Sequence, residues 1–221
     1  MKELLVPVGN MDSLRVAVHN GCDAVYLGGK KFGARAYAAN FDDEEMVKAI
    51  KFCHLYGVKL YVTVNTLIHE SELSSVLDYL KFLYKSGVDA VIIQDIGLIA
   101  LAKEEIPDLE IHASTQVHST NIDTVNFLTN LGVKRVVLAR EMGIDEINKI
   151  DTDLEIEAFI HGALCISYSG ECLFSSMLMN RSGNRGSCAQ ICRLPFKMIE
   201  DHEEVKTDGE YLLSTKELNT A

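Results

Sequence analysis

The sequence predicts an α/β protein of the (β/α)8 TIM-barrel type, because a short unit that ends a helix and begins a strand recurs along it. Each unit has a glycine, an apolar residue, two further residues and an apolar run. The copies begin at Gly21, Gly57, Gly87 and Gly132. Glycine can adopt the left-handed conformation that ends a helix, and a Val/Ile-rich run is typical of a parallel strand buried on both faces.

Further apolar runs bring the number of candidate strands to eight. These runs cover residues 4–8, 109–115, 154–162 and 211–218. Amphipathic runs predict the helices between the strands, as in residues 42–57, where Asp42 or Asp43 is placed to cap the first turn. Strict alternation of strands and helices at this number favours a barrel, with an open doubly wound sheet as the alternative.

Length and composition predict one domain. The chain has 221 residues, of which 48% are hydrophobic and 24% are charged, enough for a single barrel-like domain over residues 1–221. It ends directly after the last candidate strand and leaves no residues for an eighth helix. We therefore expect an incomplete barrel that forms the N-terminal part of a longer architecture. No segment has the length and apolarity of a membrane span, and the first residues lack the features of a signal peptide, so a cytoplasmic protein is expected. Association with copies of itself or with other chains stays open.

Polar residues follow several candidate strands, where barrels carry their active sites. Asn65, Gln116 and Arg140 stand after the third, fifth and sixth strands and are predicted to bind substrate. Glu157 and His161 belong to the seventh, and alternation along a strand would put both on one face. They are the candidate catalytic groups for moving protons. An interior glutamate needs a partner or a perturbed pKa, and a core ion pair with an arginine is the alternative role for Glu157.

Four cysteines after the seventh strand indicate a metal or cluster site. They are Cys165, Cys172, Cys188 and Cys192, spaced C-x6-C-x15-C-x3-C. Structural zinc sites usually bring tight C-x2-4-C pairs, and only the last pair fits that pattern. Irregularly spaced thiolates in loops favour a 4Fe–4S cluster, with zinc, disulfides or buried structural cysteines as the alternatives. We expect this Cys-rich segment, residues 162–210, to be an insertion over the barrel mouth. The isolated Cys22 and Cys53 fit buried structural roles.

Charge is distributed unevenly along the chain. The formal net charge of −11 argues against a general surface for nucleic acid. From Cys172 to Ile199, however, the sequence has no Asp or Glu. Its basic residues there are Arg181, Arg185, Arg193 and Lys197. This stretch is either a local basic loop that contacts an anion or a solvated loop with no ligand.

The runs EAFIHGALCISYSGECLFSSML and NRGSCAQICRLPF resemble the signature of the collagenase-like peptidase family of unassigned catalytic type, and the opening LLVPVGNMDSL is similar to that family's N-terminal region. The resemblance is closest to members that hydroxylate transfer-RNA uridine at carbon 5 and depend on prephenate. A related branch hydroxylates a ribosomal-RNA cytidine. The resemblance implies that Cys165, Cys172 and Cys188 bind a 4Fe–4S cluster, with Cys192 as the local candidate for the fourth ligand.

The leading hypothesis is therefore iron–sulfur-dependent hydroxylation of a transfer-RNA uridine, with prephenate as a candidate co-substrate. Transfer RNA or ribosomal RNA would bind through the basic loop, where Arg181, Arg185 and Arg193 would hold its phosphates or a prephenate carboxylate. A peptidase is one alternative, although His69 and Glu70 lack the second histidine of H-E-x-x-H and Ser169 lacks the G-x-S-x-G elbow. A non-catalytic cluster-binding subunit that needs a partner chain is the other.

Overall fold

Seven parallel strands form one sheet in the order in which they occur in the chain. The computed structural model describes residues 2–168, 170–207 and 209–219, so Ser169 lies outside the described residues. The strands are β1 Leu5–Pro7, β2 Ala24–Gly28, β3 Lys59–Val64, β4 Ala90–Ile93, β5 Ile111–Ala113, β6 Arg135–Val137 and β7 Glu155–Glu157. The helices are α1 Met11–His19, α2 Asp43–Leu55, α3 Leu73–Ser86, α4 Ile96–Glu105, α5 Ile122–Asn130, α6 Ile144–Ile147 and α7 Phe174–Met179.

The glycine repeat has the predicted structural role. Gly21, Gly57, Gly87 and Gly132 all have positive φ angles, between 71° and 86°, and each lies between a helix and the next strand. A side chain would strain this left-handed conformation, so glycine lets the helix end and the chain turn into the sheet. The strands β2, β3, β4 and β6 follow these turns, as predicted.

At the carboxyl ends of the strands, the loops lead into helices whose first turns are capped by side chains. The Asp42 side chain accepts a hydrogen bond from the backbone N–H of Glu45, and the Glu45 carboxylate accepts one from Asp42 N, a reciprocal capping box. Asn10, Asp95 and Asn121 cap α1, α4 and α5 in a similar way. The loops that lead from strands to helices are therefore anchored at their helical ends, and these loops form the mouth of the barrel.

The side chains of the sheet separate into two layers. One face packs against the helices and forms the main core, which includes Cys22 and the fully buried Cys53, as expected for structural cysteines. The other face lines a narrow interior in which Tyr61 packs with Ala24 and Ala90. Alternate residues of a strand point to opposite faces, so Ala24 and Ala90 face this interior. Their short side chains leave space for a layer of polar residues, which we call the polar floor.

The buried Arg135 of β6 is the centre of this polar floor. Its guanidinium Nη1 lies 2.6 Å from Glu3 Oε1, and its Nη2 lies 2.6 Å from Glu155 Oε2. Glu157 is a third and more distant partner, with Oε2 at 3.5 Å from Nη1. Burial opposes ionisation of Glu3, but Arg135 and the Tyr61 hydroxyl hold the pKa of Glu3 below its usual value.

His112 extends the floor on the β5 side. Its ring packs edge-on against Tyr61 at 4.7 Å between centroids, and its Nε2 lies 3.0 Å from Glu110 Oε1. Burial lowers the pKa of His112 although Glu110 favours the charged form. The ring therefore stays neutral at physiological pH and serves as packing for the floor rather than as a cation.

The predicted eighth barrel strand is wrong. The sheet in the described residues contains seven parallel strands, with β1 and β7 at its edges. Residues 211–218 contain no parallel strand; instead β11, Glu217–Asn219, pairs antiparallel with β8, His161–Ala163. The apolar run at Tyr211 and Leu212 is solvent-exposed, so its composition did not indicate a buried strand. Strands β9, Met198–Glu200, and β10, Glu203–Val205, form a separate hairpin.

The Cys-rich segment follows β8 and consists mainly of turns. It contains the short helix α7 and two 3₁₀ turns, Gly183–Arg185 and Ile191–Arg193. Because no eighth parallel strand follows it in the described residues, the expected insertion between two barrel strands is not confirmed. Among the helices described, none is long and apolar enough to cross a membrane.

We predict that Arg135→Met destabilises the protein by about 3 kcal/mol, because it leaves the partly buried Glu3 and Glu157 without their cation, while the exposed Glu155 contributes little. Urea unfolding followed by circular dichroism measures the change. Arg15→Ala removes an arginine whose pair with Asp12 is exposed and should change stability little. Equal stability of the Arg135→Met protein and the wild type would contradict a structural role for the floor.

Candidate functional site

A pocket of about 480 Å³ opens at the carboxyl ends of the strands. It lies inside the curled sheet, above the polar floor. Every strand except β4 supplies two or more lining residues, either from its carboxyl end or from the residues just after it. Its polar lining includes Tyr26, Asn65, Ser114, Gln116, Arg140 and Glu157. The pocket therefore contains all three substrate-binding residues that were predicted from the strand ends and one of the two predicted catalytic residues.

Two amide side chains form one wall of the pocket. Asn65 Nδ2 donates to Gln116 Oε1 at 2.9 Å, and Asn65 Oδ1 accepts from the backbone N–H of Ala34 at 3.0 Å. Gln94, directly after β4, supports this wall. Its Nε2 donates to the Asn65 carbonyl at 2.7 Å and to the Asn184 carbonyl at 3.4 Å. The wall is thus bonded both to the β2–α2 loop and to the Cys-rich segment.

Arg140 forms the opposite side. Its guanidinium lies over the Phe159 ring at 3.9 Å, and Nη1 donates to the Ala163 carbonyl at 2.7 Å. Its buried Nε has no hydrogen-bond partner within the described residues. Burial lowers the pKa of Arg140, while the Tyr26 hydroxyl and the Cys165 thiol act in the other direction. This cation lines the pocket and bonds to the backbone that leads into the Cys-rich segment.

Glu157 is the carboxyl group of the pocket. It lies at the end of β7 and combines the two features expected of an interior glutamate, a partner in Arg135 at 3.5 Å and a perturbed pKa. Burial raises the pKa of Glu157 above the usual value, and Arg135 opposes that shift only in part. Burial also raises the pKa of Tyr26, to which the negative charge of Glu157 contributes.

His161 is not brought into the pocket. It is exposed in β8, pairs with Asn219 across the two-stranded ribbon and is absent from the pocket lining. Residues 158–160 are not in a strand, so the alternation that connected Glu157 to His161 in the sequence is interrupted. The prediction that the two residues share a face beside the substrate therefore has no support in the geometry.

The four clustered cysteines are free thiols, exposed at Cys165 and Cys188 and partly buried at Cys172 and Cys192. Burial raises the pKa of Cys192, and the neighbouring Cys165, Cys188 and Cys172 raise it further. Two backbone N–H groups face sulfur, Phe174 N at 3.4 Å from Cys172 Sγ and Gln190 N at 3.4 Å from Cys188 Sγ. Within residues 2–168, 170–207 and 209–219, no three His, Cys, Asp or Glu side chains are arranged to hold a single metal ion.

The arginines of the predicted basic loop bond mainly to the protein itself. Arg185 Nη2 lies 2.7 Å from Glu72 Oε1, and Nη1 donates to the Leu67 carbonyl. Arg193 donates to the Ser214 hydroxyl at 2.7 Å and to the Thr215 carbonyl at 2.9 Å. These two residues therefore fix the Cys-rich segment in place, and their predicted binding of phosphate or carboxylate stays a prediction. Lys197 pairs with Glu204 in the β9–β10 hairpin at 2.7 Å.

The β2–α2 loop, residues 29–41, is the part of the site that the sequence analysis missed. It contacts the Cys-rich segment directly, since Ala36 N donates to the Gly186 carbonyl at 3.0 Å. It also supplies Arg35 and Asn40 to the pocket. A sequence signal was present, because residues 24–41 contain no Asp or Glu, as in the Cys-rich segment.

A family model described as peptidase family U32 matches residues 9–221. The chain belongs to peptidase family U32. The recognition from the cysteine runs is therefore confirmed. Among solved structures, a U32 peptidase has a TM-score of 0.62 at 16% identity, covering 74% of this chain and 70% of that one. At this identity the likeness supports the fold, a TIM-barrel-like α/β sheet, and no more.

Curated U32 relatives carry names of two kinds. A 23S rRNA 5-hydroxycytidine synthase of Escherichia coli is 43% identical over 97% of this chain and 33% of its own length. A tRNA hydroxylation protein of Bacillus subtilis is 42% identical over 94% of this chain and 48% of its own length. A collagenase of Porphyromonas gingivalis is 34% identical over 99% of this chain and 56% of its own length. The chain thus spans between a third and just over half the length of these relatives.

We predict that Gly186→Ala loosens the contact between the β2–α2 loop and the Cys-rich segment. A Cβ at this position would lie 2.5 Å from the Gly33 carbonyl oxygen, and the φ angle of +81° disfavours any side chain. We expect a loss of about 1–3 kcal/mol and faster amide hydrogen exchange in both segments. Gly9→Ala, where a Cβ meets nothing within 4 Å, is the control. Unchanged exchange in Gly186→Ala would contradict this contact.

Proposed function

We propose that this chain is the pocket-forming part of an iron–sulfur-dependent RNA hydroxylation enzyme, with a transfer-RNA uridine as substrate and 5-hydroxyuridine as product. The observation that carries the proposal is the attachment of the Cys-rich segment, which contains the four thiols, to the wall of a polar barrel pocket. Gln94 bonds to both the pocket wall and the Cys-rich segment, and Arg140 donates to the carbonyl of Ala163, two residues before Cys165. The curated relatives named for RNA hydroxylation match 97% and 94% of this chain.

The donor set fits a 4Fe–4S cluster better than a single zinc ion. Four soft ligands come from one irregular segment, and backbone N–H groups face two of the sulfurs, as in sites that tune a cluster by hydrogen bonding. Among the described residues neither a zinc tetrahedron nor a converged set of cluster ligands is formed, so the preference for a cluster rests on the ligand type and the irregular spacing in the chain. When bound, the cluster would supply electron transfer next to the pocket.

The pocket residues suit a flat polar ring and an anionic co-substrate. The amides of Asn65 and Gln116 offer donors and acceptors for the edge of a pyrimidine. Arg140 and Arg35 are two cations in one pocket and suit the carboxylates of a co-substrate such as prephenate. Glu157, whose pKa is raised by burial, is the carboxyl group placed to take or return a proton in this pocket. Such a reaction on RNA fits a cytoplasmic protein.

A peptidase is the second candidate, favoured by the family description and by the relative named collagenase. Its difficulty is chemical, because Leu73 stands where H-E-x-x-H requires a second histidine after His69. A cluster-binding subunit that needs further chain or a partner is the third. This third candidate is supported by length, because the chain spans only 33% and 48% of two relatives named for RNA hydroxylation.

The first test is the cluster, measured on anaerobically purified protein. We predict iron, sulfide and a broad absorption near about 400 nm, typical of thiolate-bound clusters. Replacing Cys165, Cys172, Cys188 or Cys192 by Ser should reduce all three signals, because each removes a proposed ligand. Cys22→Ser and Cys53→Ser are matched controls, since both thiols are buried away from the site. A colourless, iron-free protein after reconstitution would reject the cluster.

The same variants test the reaction. Transfer RNA from a deletion strain that expresses each variant is digested, and its nucleosides are measured by mass spectrometry. Wild-type protein and the two controls should restore 5-hydroxyuridine, while the four clustered-cysteine variants and Glu157→Gln should not. Gelatin cleavage is assayed in parallel. A peptidase activity that survives iron removal, without any hydroxylated nucleoside, would favour the second candidate instead.

A further inference from the structure

The rim of the pocket carries several cations and an exposed tyrosine. We propose that single-stranded RNA binds a composite surface formed by Lys30, Lys31, Arg35 and Tyr37 of the β2–α2 loop and Arg181 of the Cys-rich segment. We call these five residues the rim surface. The inference rests on the proposed function for the identity of the polymer, and it names where this chain would hold that polymer.

Two acid-free stretches meet at the rim surface. Residues 24–41 and 173–199 each contain no Asp or Glu, although the chain as a whole carries a formal charge of −11. They are far apart in sequence but in contact in the fold, through the Ala36–Gly186 hydrogen bond and the close approach of Gly186 to Gly33. Folding therefore concentrates positive charge at the pocket mouth of an acidic protein, which favours a polyanion there.

The cations of the β2–α2 loop are more available than those first predicted. Arg185 and Arg193 bond to Glu72, Ser214 and Thr215 and hold the Cys-rich segment. Lys30 has only an exposed pair with Asp42, 3.3 Å away, and such pairs exchange readily for other anions. Within the part of the chain that the structure describes, Lys31 has no ion pair. The cations that are placed to contact RNA therefore lie mainly in the β2–α2 loop, whereas the sequence analysis had placed them in the Cys-rich segment.

Tyr37 supplies a platform for a base. Its side chain is 73% exposed, whereas tyrosine side chains in folded proteins are usually at least partly buried. The Arg181 guanidinium lies over the ring at 4.6 Å, and Arg181 Nε donates to the Ser187 carbonyl at 3.1 Å, so one face of the ring is supported. An exposed aromatic ring beside several cations is the combination that binds single-stranded nucleic acid, with stacked bases and neutralised phosphates.

The rim surface adjoins two cavities. Arg35 lines the main pocket, while Lys30 and Lys31 line a smaller cleft of about 260 Å³ that also contains Arg185 and Glu72. A strand that crosses the rim surface would have its phosphates near the lysines and one base at the pocket entrance. A pyrimidine turned out of the strand could then enter the main pocket, as enzymes that modify bases require.

The test uses two matched triple variants of this chain. Lys30→Gln/Lys31→Gln/Arg35→Gln changes the rim surface, and Lys48→Gln/Lys51→Gln/Lys85→Gln removes the same charge from exposed positions of α2 and α3. Binding of an unmodified transfer-RNA transcript and of an oligouridylate of about 15 nucleotides is measured by fluorescence anisotropy between low and moderate salt. The rim variant should bind about tenfold or more weakly, and its logarithmic salt slope should fall by about 2. The control variant should keep the wild-type slope.

Single substitutions separate stacking from charge. Tyr37→Ala should weaken binding by about 5- to 150-fold with an unchanged salt slope, and Tyr37→Phe should restore most of it. Tyr84→Ala, an exposed tyrosine on α3, should have no effect. If the wild type binds RNA and the rim and control variants lose affinity equally, the rim surface is wrong while the proposed function stands. If the wild type binds an acidic polyglutamate peptide but not RNA, both are overturned.

Discussion

The interaction on which the structure depends most is the shared ion pairing of Arg135 inside the barrel. In the described residues the parallel sheet stops at seven strands, so hydrogen bonds alone do not close it. Arg135 compensates by joining Glu3, which precedes β1, to Glu155 of β7 across the interior. Breaking this arrangement should cost more than breaking a surface pair, because Glu3 and Glu157 would stay partly buried without their cation. This one side chain therefore links the two edges of the sheet.

The same cation also separates its carboxylates chemically. Glu3 has close contacts with Arg135 and Tyr61, and its pKa is lowered in spite of burial. Glu157 has only the 3.5 Å contact with Arg135 and faces the pocket, so burial dominates and raises its pKa. Two of the three glutamates around this arginine therefore have pKa values shifted in opposite directions.

The Cys-rich segment is positioned by a different kind of force. It has little regular structure and is held to the barrel by side chains that bond to distant backbone groups, such as Gln94 to Asn184 and Arg193 to Thr215. Gly186 permits a backbone approach that no other residue would allow without strain. This attachment holds the segment that contains the four cysteines against the loops at the pocket mouth.

The sequence was informative where structure is local. Glycine turns, buried strands and helix caps follow from patterns a few residues long, and the positions of Asn65, Gln116, Arg140 and Glu157 at one pocket follow from their places at strand ends. The sequence did not indicate the partner of Arg185, because Glu72 lies 113 residues away. It misplaced His161, because a short break after β7 ended the alternation. It also predicted an eighth strand from composition, although strand pairing decides that question.

The most direct test of this account is the titration of Glu157 by carbon-13 NMR of labelled glutamate side chains, with Glu157→Gln used to assign its signal. The account predicts a midpoint above the usual glutamate value of about 4.3, because burial outweighs Arg135. It also predicts a further increase in Arg135→Met if that variant stays folded, since the opposing cation is removed. A midpoint at or below the usual value in the wild type would contradict a proton-exchanging carboxyl in the pocket.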